Sequence, residues 1–161
     1  MLTGFAIDNG LSRQIIQRLP EAEALGLPHE IEARLFDLWI VREALIRRAY
    51  GLSDEHIQSL IDGFHWESYR QFMAQGLSTR DLKELQARLR DRYTQYSEAL
   101  TPVLRGGTKP PLTFARTVAR NLFDRETRDP VVAIRLVGSV TAALFSISDA
   151  LKDVLPRTDF R

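Results

Sequence analysis

Hydrophobic side chains recur along this chain at intervals of three and four residues, which is the spacing of one face of an α-helix. The clearest example has apolar residues at steps of 3, 4, 4, 3 and 4 over positions 82–100. No segment alternates between apolar and polar residues with the period of two that marks a half-buried strand. The pattern predicts an all-α fold with one narrow apolar seam, formed by Leu82, Leu85, Leu89, Tyr93, Tyr96 and Leu100.

Capping residues and helix breakers divide this pattern into about six helices. Ser53 and Ser78 are suited to cap the N-termini of two helices, and Asp129 followed by Pro130 is a typical start for the last one. Pro102 is expected to end the seam helix, because proline cannot donate the backbone hydrogen bond that a helix interior needs. Three further helices are predicted over residues 12–18, 29–50 and 114–122.

Two of the predicted helices are apolar on nearly every side, so we expect them at the centre of the bundle. The first covers residues 29–50, and the second covers residues 131–155. The second contains 13 residues without charge, fewer than the roughly 20 that a membrane-spanning helix needs, so burial in the core is its default interpretation. If part of it is exposed, its small residues would let an apolar partner helix approach closely; these are Gly138, Ser139, Ala142 and Ala143.

Length and composition are those of one globular domain: 161 residues, 44% hydrophobic and 27% charged. We expect an N-terminal arm and short helix over residues 1–28, a helical core over 29–155 and a tail over 156–161. The chain has no cysteine, which excludes disulfides, cysteine-ligated metals and thiol nucleophiles. Its first residues lack the basic region and apolar run of a secretion signal, which favours a cytoplasmic protein.

The charges nearly balance, with 22 basic and 21 acidic residues, so no overall field attracts the protein to nucleic acid or anionic lipid. Most arginines have acidic neighbours one helical turn away, the pattern of a solvated face of mixed charge. Contact with RNA or the ribosome through arginines 88, 92, 116 and 120 is one alternative function. The candidate partner-binding residues are Arg42, Arg47, Arg88, Arg92, Arg116, Arg120 and Trp66.

Candidates for catalysis or metal binding are few. Asp62 and His65 share one helical face at i,i+3 spacing, but one such pair is not a metal site, and no second copy exists. No residues assemble into a nucleophile, base and orienting group. We therefore predict no metal, no cofactor and no enzymatic activity. The alternative is a small ligand-binding protein or enzyme with an internal pocket near Asp62 and His65.

Four short motifs, spread over residues 26–123, follow one another in the order and approximate spacing of a known family. They are Gly26-Leu-Pro28 with Arg34-Leu-Phe, Phe72-Met-Ala-Gln-Gly76-Leu, Tyr93-Thr-Gln-Tyr96 and Ala119-Arg120-Asn121-Leu. Together they resemble the ubiquinol-cytochrome c chaperone family, helical proteins that assist assembly of the respiratory cytochrome b subunit. The residues that carry the resemblance are Gly26, Pro28, Arg34, Gly76, Tyr93, Arg120 and Asn121.

The resemblance implies a function. Proteins of this family are not enzymes, and the resemblance implies a partner that is a newly made membrane subunit or another chaperone. It also implies a position peripheral to the inner, energy-transducing membrane. The chain departs from the family pattern at His29 and Glu30, where the family has Asp-Thr. The leading hypothesis is therefore a non-catalytic helical binding protein that assists assembly of a respiratory complex.

Overall fold

The computed structural model describes residues 10–17, 29–48, 52–106, 112–124 and 129–151. All regular structure in these segments is helical, which confirms the all-α prediction. The predicted motif Gly26-Leu-Pro28 and the tail over 156–161 lie outside the described residues. The described segments contain six helices: α1 (Leu11–Gln17), α2 (Glu30–Arg48), α3 (Asp54–Ala74), α4 (Thr79–Leu104), α5 (Leu112–Phe123) and α6 (Pro130–Ala150).

Three helices begin where their capping residues predict. Ser53, Ser78 and Asp129 occupy the N-cap positions of α3, α4 and α6. Each side chain accepts a hydrogen bond from a backbone N–H two or three residues further along the chain. Pro130 stands in the first turn of α6, where its missing N–H costs nothing. Local sequence therefore fixes these three boundaries without help from tertiary contacts.

The prediction that Pro102 ends the seam helix is wrong. Helix α4 continues through Pro102 to Leu104, and the chain leaves it at Gly106, whose φ is +75°. The N–H that proline lacks would have met the carbonyl of Glu98, an exposed residue in the last turns of the helix. One missing hydrogen bond on the exposed side of the helix does not stop it there, since solvent can replace a lost partner at an exposed position.

Helix α2 is the centre of the fold, as its apolar pattern predicts, and it contacts all five other helices. Seven consecutive side chains, residues 35–41, are buried. Trp39 is fully buried, and its ring centroid lies 5.3 Å from that of Tyr96 and 5.8 Å from that of Phe114. The Trp39 indole N–H also donates a 2.9 Å hydrogen bond to Ser97. Aromatic packing through α2 thus joins it to α4 and α5.

The N-terminal helix α1 is tied to α2 by a buried carboxylate. Asp37 is 4% exposed and accepts a 2.5 Å hydrogen bond from the backbone N–H of Ser12, in the first turn of α1. Burial raises the pKa of Asp37 to about 7, and the Ser12 hydrogen bond and the charge of Arg34 oppose that rise. The short helix predicted over residues 12–18 is therefore confirmed. It packs on α2 through the Asp37 carboxyl group, whose ionised form is disfavoured by burial.

Helix α6 is buried on one side only, so its expected place in the core holds for half of it. It packs on α2, α5 and α1, and its inner face buries Val132, Leu136, Val140, Leu144 and Ile147. The opposite side remains exposed although it is also apolar. When both sides of a helix are apolar, the hydropathy pattern does not indicate which side faces the neighbouring helices.

Candidate functional site

The exposed side of α6 carries three of the six large hydrophobic side chains that are exposed in the described residues. Val131, Ile134 and Phe145 are 49%, 61% and 69% exposed. Gly138 and Ala142 lie exposed between them. We call these five residues the α6 face. They span 14 positions, or about 21 Å along a helix that rises 1.5 Å per residue.

Length and hydropathy also set α6 apart. Among the described helices it alone is long and apolar enough to cross a membrane, with a mean hydropathy of 1.9 over its most apolar window. The uncharged stretch of 13 residues underestimates its apolar length, because the apolar sequence continues on the other side of Arg135, over residues 131–134. The core helix of a globular protein meets the same criterion but is mostly buried, whereas 33% of this window is buried. Leu144 is 4% exposed while its neighbour Phe145 is 69% exposed, so the boundary between the two faces is sharp.

The chemistry of the α6 face is that of an apolar contact surface. Residues 136–148 carry no charge, and Arg135 and Asp149 flank that stretch. Full burial of a side chain such as Val, Ile or Phe stabilises an association by about 1.5–3 kcal/mol each. Soluble proteins seldom leave contiguous apolar surface exposed unless it binds something. The face therefore suits an apolar partner and offers no group for catalysis.

The arginines expected to contact partners are largely engaged within the fold. Arg88 and Arg92 both bind the carboxylate of Glu32, with N–O distances of 2.9 and 2.7 Å. Burial opposes the ionised form of Glu32, but the hydrogen bonds from Arg92 and Arg88 outweigh it and keep its pKa below the usual value. Arg88 also pairs with Glu84, one helical turn away, at 2.5 Å, as the charge pattern of the sequence predicts.

The remaining candidates are spread over different helices. Arg42 lies over the ring of Tyr93, 5.1 Å from its centroid, and Arg47 lies 3.6 Å from the Glu43 carboxylate. Arg116 and Arg120 are exposed on α5, and Trp66 is 72% exposed on α3. The structure therefore does not bring all seven candidates into one surface, although Arg88, Arg92 and Arg120 line a common cleft. The role of the seven residues in partner binding stays a prediction.

A polar cleft of about 620 Å³ lies where α2, α4 and α5 meet. Its walls include Arg88, Arg92 and Arg120, but also the carboxylates of Glu30, Glu32, Asp81, Glu84 and Asp124. Five acidic groups against three guanidinium groups give the cleft mixed charge with an acidic excess. This balance does not favour RNA or another polyanion as its ligand.

Asp62 and His65 point to different surroundings although they share α3. The His65 ring nitrogen Nε2 lies 2.7 Å from the Tyr93 hydroxyl, and the His65 ring stacks near Tyr69. Asp62 accepts a hydrogen bond from Gln58 and lines an open surface groove with Trp66. In the described part of the chain no three His, Cys, Asp or Glu side chains come together as metal ligands. Asp62 and His65 therefore do not face a common space in which one ligand could contact both.

Burial shifts the pKa values of His65 and Asp37 in opposite directions. It lowers the pKa of His65 from 6.5 to about 4, helped by the charge of Arg42, and raises that of Asp37 to about 7. Acidification from pH 6.5 to 4 therefore destabilises the fold through His65, since the unfolded chain takes up the proton more readily. A rise from pH 4 to 7 destabilises it through Asp37.

Two conservative variants should separate these effects. In His65→Gln the destabilisation through Asp37 remains, so we expect the melting temperature to fall as the pH rises from about 4 to 7. In Asp37→Asn the pH dependence through His65 remains, and the melting temperature should rise over the same interval. Thermal unfolding followed by circular dichroism checks both slopes. Parallel pH profiles for the two variants would contradict the assigned pKa shifts.

The residues that resemble the chaperone family serve helix packing where the structure describes them. Arg34 bonds to Glu30 at 2.8 Å, and its guanidinium lies 4.5 Å from the centroid of the Phe72 ring. Gly76 adopts a φ of +93° at the turn after α3, a conformation that suits glycine. Buried Asn121 donates a 3.0 Å hydrogen bond to Gln95 across α5 and α4.

Comparison of the chain with family models, with curated proteins and with solved structures finds no match. The exposed geometry of α6 is therefore the main guide to function.

Sequence reasoning missed Val131, Ile134 and Phe145 as site residues, because both sides of α6 are apolar. One signal was present: Arg135 and Asp149, the two charged residues between 130 and 150, are 14 positions apart and so share one helical face. That face is the exposed one.

Proposed function

We propose that this protein is a non-catalytic binding protein that holds an apolar helical segment of a newly made membrane protein against the α6 face. The observation that carries the proposal is the exposure of Val131, Ile134 and Phe145 on a helix of membrane-spanning length and hydropathy. Such surface is costly to leave in water, and binding recovers that cost.

The chemistry of the face favours a helix as its occupant. A membrane-spanning helix satisfies its backbone hydrogen bonds internally and presents only apolar side chains, so it needs no polar partner on the surface that receives it. Gly138 and Ala142 lack bulk at the middle of the face, which allows the two helix axes to approach closely. A single basic residue, Arg135, lies beside the α6 face, so electrostatic attraction to an anionic bilayer is weak.

The identity of the client follows from the resemblance of residues 26–123 to the ubiquinol-cytochrome c chaperones. On that basis the client is the cytochrome b subunit of the respiratory ubiquinol-cytochrome c reductase. The protein would act from the cytoplasm, peripheral to the inner membrane, and would cover an apolar segment until the subunit is assembled. This action requires no cofactor and no covalent chemistry.

Affinity purification tests the proposal. The tagged full-length protein is recovered from detergent-solubilised native membranes after mild crosslinking, and its partners are identified by mass spectrometry. We expect cytochrome b with the wild-type protein and at least about tenfold less with Phe145→Asp, because a buried unpaired carboxylate is costly. Met73→Ala, which changes an exposed apolar residue on α3, should recover the wild-type amount.

Two results would overturn the proposal. The first is a wild-type preparation that contains no cytochrome b. The second is undiminished recovery of cytochrome b with Phe145→Asp, which would place the contact elsewhere on the molecule.

A further inference from the structure

The exposed positions of α6 are spaced symmetrically about the middle of the helix. Positions 131, 135, 138, 142, 145 and 149 are all exposed, and their successive separations are 4, 3, 4, 3 and 4 residues. This is the spacing of a helix seam that pairs with another helix. In an antiparallel pair of identical helices, position 138 of one lies opposite position 142 of the other, and position 135 opposite position 145.

That register gives every large side chain on the face a place. Phe145 would enter the space bounded by Val131, Ile134, Arg135 and Gly138 of the other copy, which is the four-residue hole of knobs-into-holes packing. Gly138 contributes no side chain there, and a Cβ added to it would meet nothing within 4 Å in its own chain. Two-fold symmetry repeats the contact, so both Phe145 rings and both holes are filled.

The charges of the helix select the same direction. Arg135 and Asp149 are the only charged residues between positions 130 and 150, and they lie towards opposite ends of the face. An antiparallel pair brings Arg135 of each copy within about one helical turn of Asp149 of the other, within reach of its long side chain. A parallel pair would instead place arginine beside arginine and aspartate beside aspartate.

We propose that a second copy of this chain occupies the α6 face, in an antiparallel two-helix interface centred between Gly138 and Ala142. This inference concerns the purified protein alone and does not depend on the proposed client. Because self-association and client binding would use the same face, they would exclude each other, and the dimer would be the form that protects the face between clients. One helix per protomer makes a small interface, so we expect a dissociation constant on the order of tens of micromolar.

Sedimentation equilibrium of the purified full chain, from about 1 to about 300 μM, tests the interface. The wild-type protein should shift from monomer to dimer with concentration. Phe145→Asp removes the knob and Gly138→Leu fills the hole, so each should weaken the dimer at least about tenfold. Met73→Ala, at an exposed apolar residue of α3, is the control and should dimerise as the wild type does. Circular dichroism verifies that each variant is folded.

Cysteine crosslinking tests the register, since the natural chain contains no cysteine. Gly138→Cys and Ala142→Cys are prepared separately and oxidised alone or mixed. The antiparallel register predicts that the mixed disulfide between positions 138 and 142 exceeds both homodisulfides. A protein that stays monomeric throughout, a dimer that Phe145→Asp leaves intact, or a dimer that Met73→Ala dissociates would overturn the interface. Dominant homodisulfides would overturn its antiparallel direction. These results come without any membrane component, so they are independent of the cytochrome b recovery.

Discussion

Replacement of Trp39 by alanine is expected to lower the free energy of unfolding by about 3–5 kcal/mol. Trp39 is fully buried in α2 and packs against Phe36, Tyr96 and Phe114. The change leaves a large cavity at the centre of the bundle. It also removes the indole N–H that donates a hydrogen bond to the Ser97 hydroxyl. A domain of this size has a total stability of about 5–15 kcal/mol, so the loss is a large share of it.

Urea unfolding followed by far-ultraviolet circular dichroism measures this loss. The chain has two tryptophans, and Trp66→Ala supplies the comparison because Trp66 is 72% exposed. We expect that variant to change the stability by no more than about 0.5 kcal/mol. If Trp39→Ala does not fold, Trp39→Phe, which leaves a smaller cavity, should still be clearly less stable than Trp66→Ala. Equal effects of substitution at Trp39 and Trp66 would contradict the central position of α2.

Much of the fold is predictable because local patterns determine it. The seam of α4 predicts a buried stripe, and Leu85, Tyr93, Tyr96 and Leu100 are buried as expected. The three capped helices begin at their predicted residues because an N-cap side chain bonds to its own backbone. In both cases the deciding interactions lie within a few residues of each other along the chain.

Features that depend on distant parts of the chain were not predictable. Glu32 meets Arg88 and Arg92 across separations of 56 and 60 residues, and no local pattern pairs them. The sequence instead suggests that each arginine pairs only within its own helix, which is true of Arg88 with Glu84 but incomplete. The bundle joins these residues because α2 packs on α4, and that contact follows from tertiary packing alone.

The orientation of α6 shows the same limit at the candidate site. Its apolar composition correctly indicates contact with the core, but it does not indicate which side of the helix makes that contact. Helices α1, α2 and α5 all reach α6 from one side, so the apolar residues of the other side remain at the surface. Only the shared face of Arg135 and Asp149 marks that outer side in the sequence.

The second large effect is expected at Leu144, next to the exposed Phe145. Leu144 is 4% exposed and belongs to the core, so Leu144→Ala should lower the free energy of unfolding by about 2–5 kcal/mol. Phe145→Ala removes a larger side chain, yet this ring is 69% exposed in the folded chain. Its loss should change the stability of the monomer by no more than about 0.5 kcal/mol. Alanine suits a helix at both positions, so helix propensity does not account for the difference.

The comparison of these two variants tests most directly whether the α6 face is free to bind. The measurement is urea unfolding of both variants and the wild type at about 1 μM protein, where self-association is minor. A large loss for Leu144→Ala with almost none for Phe145→Ala is the result we expect, because the outer side chains then contribute nothing to folding. A loss of similar size at Phe145 would mean that the folded chain itself covers the face, which would contradict its role as a binding surface.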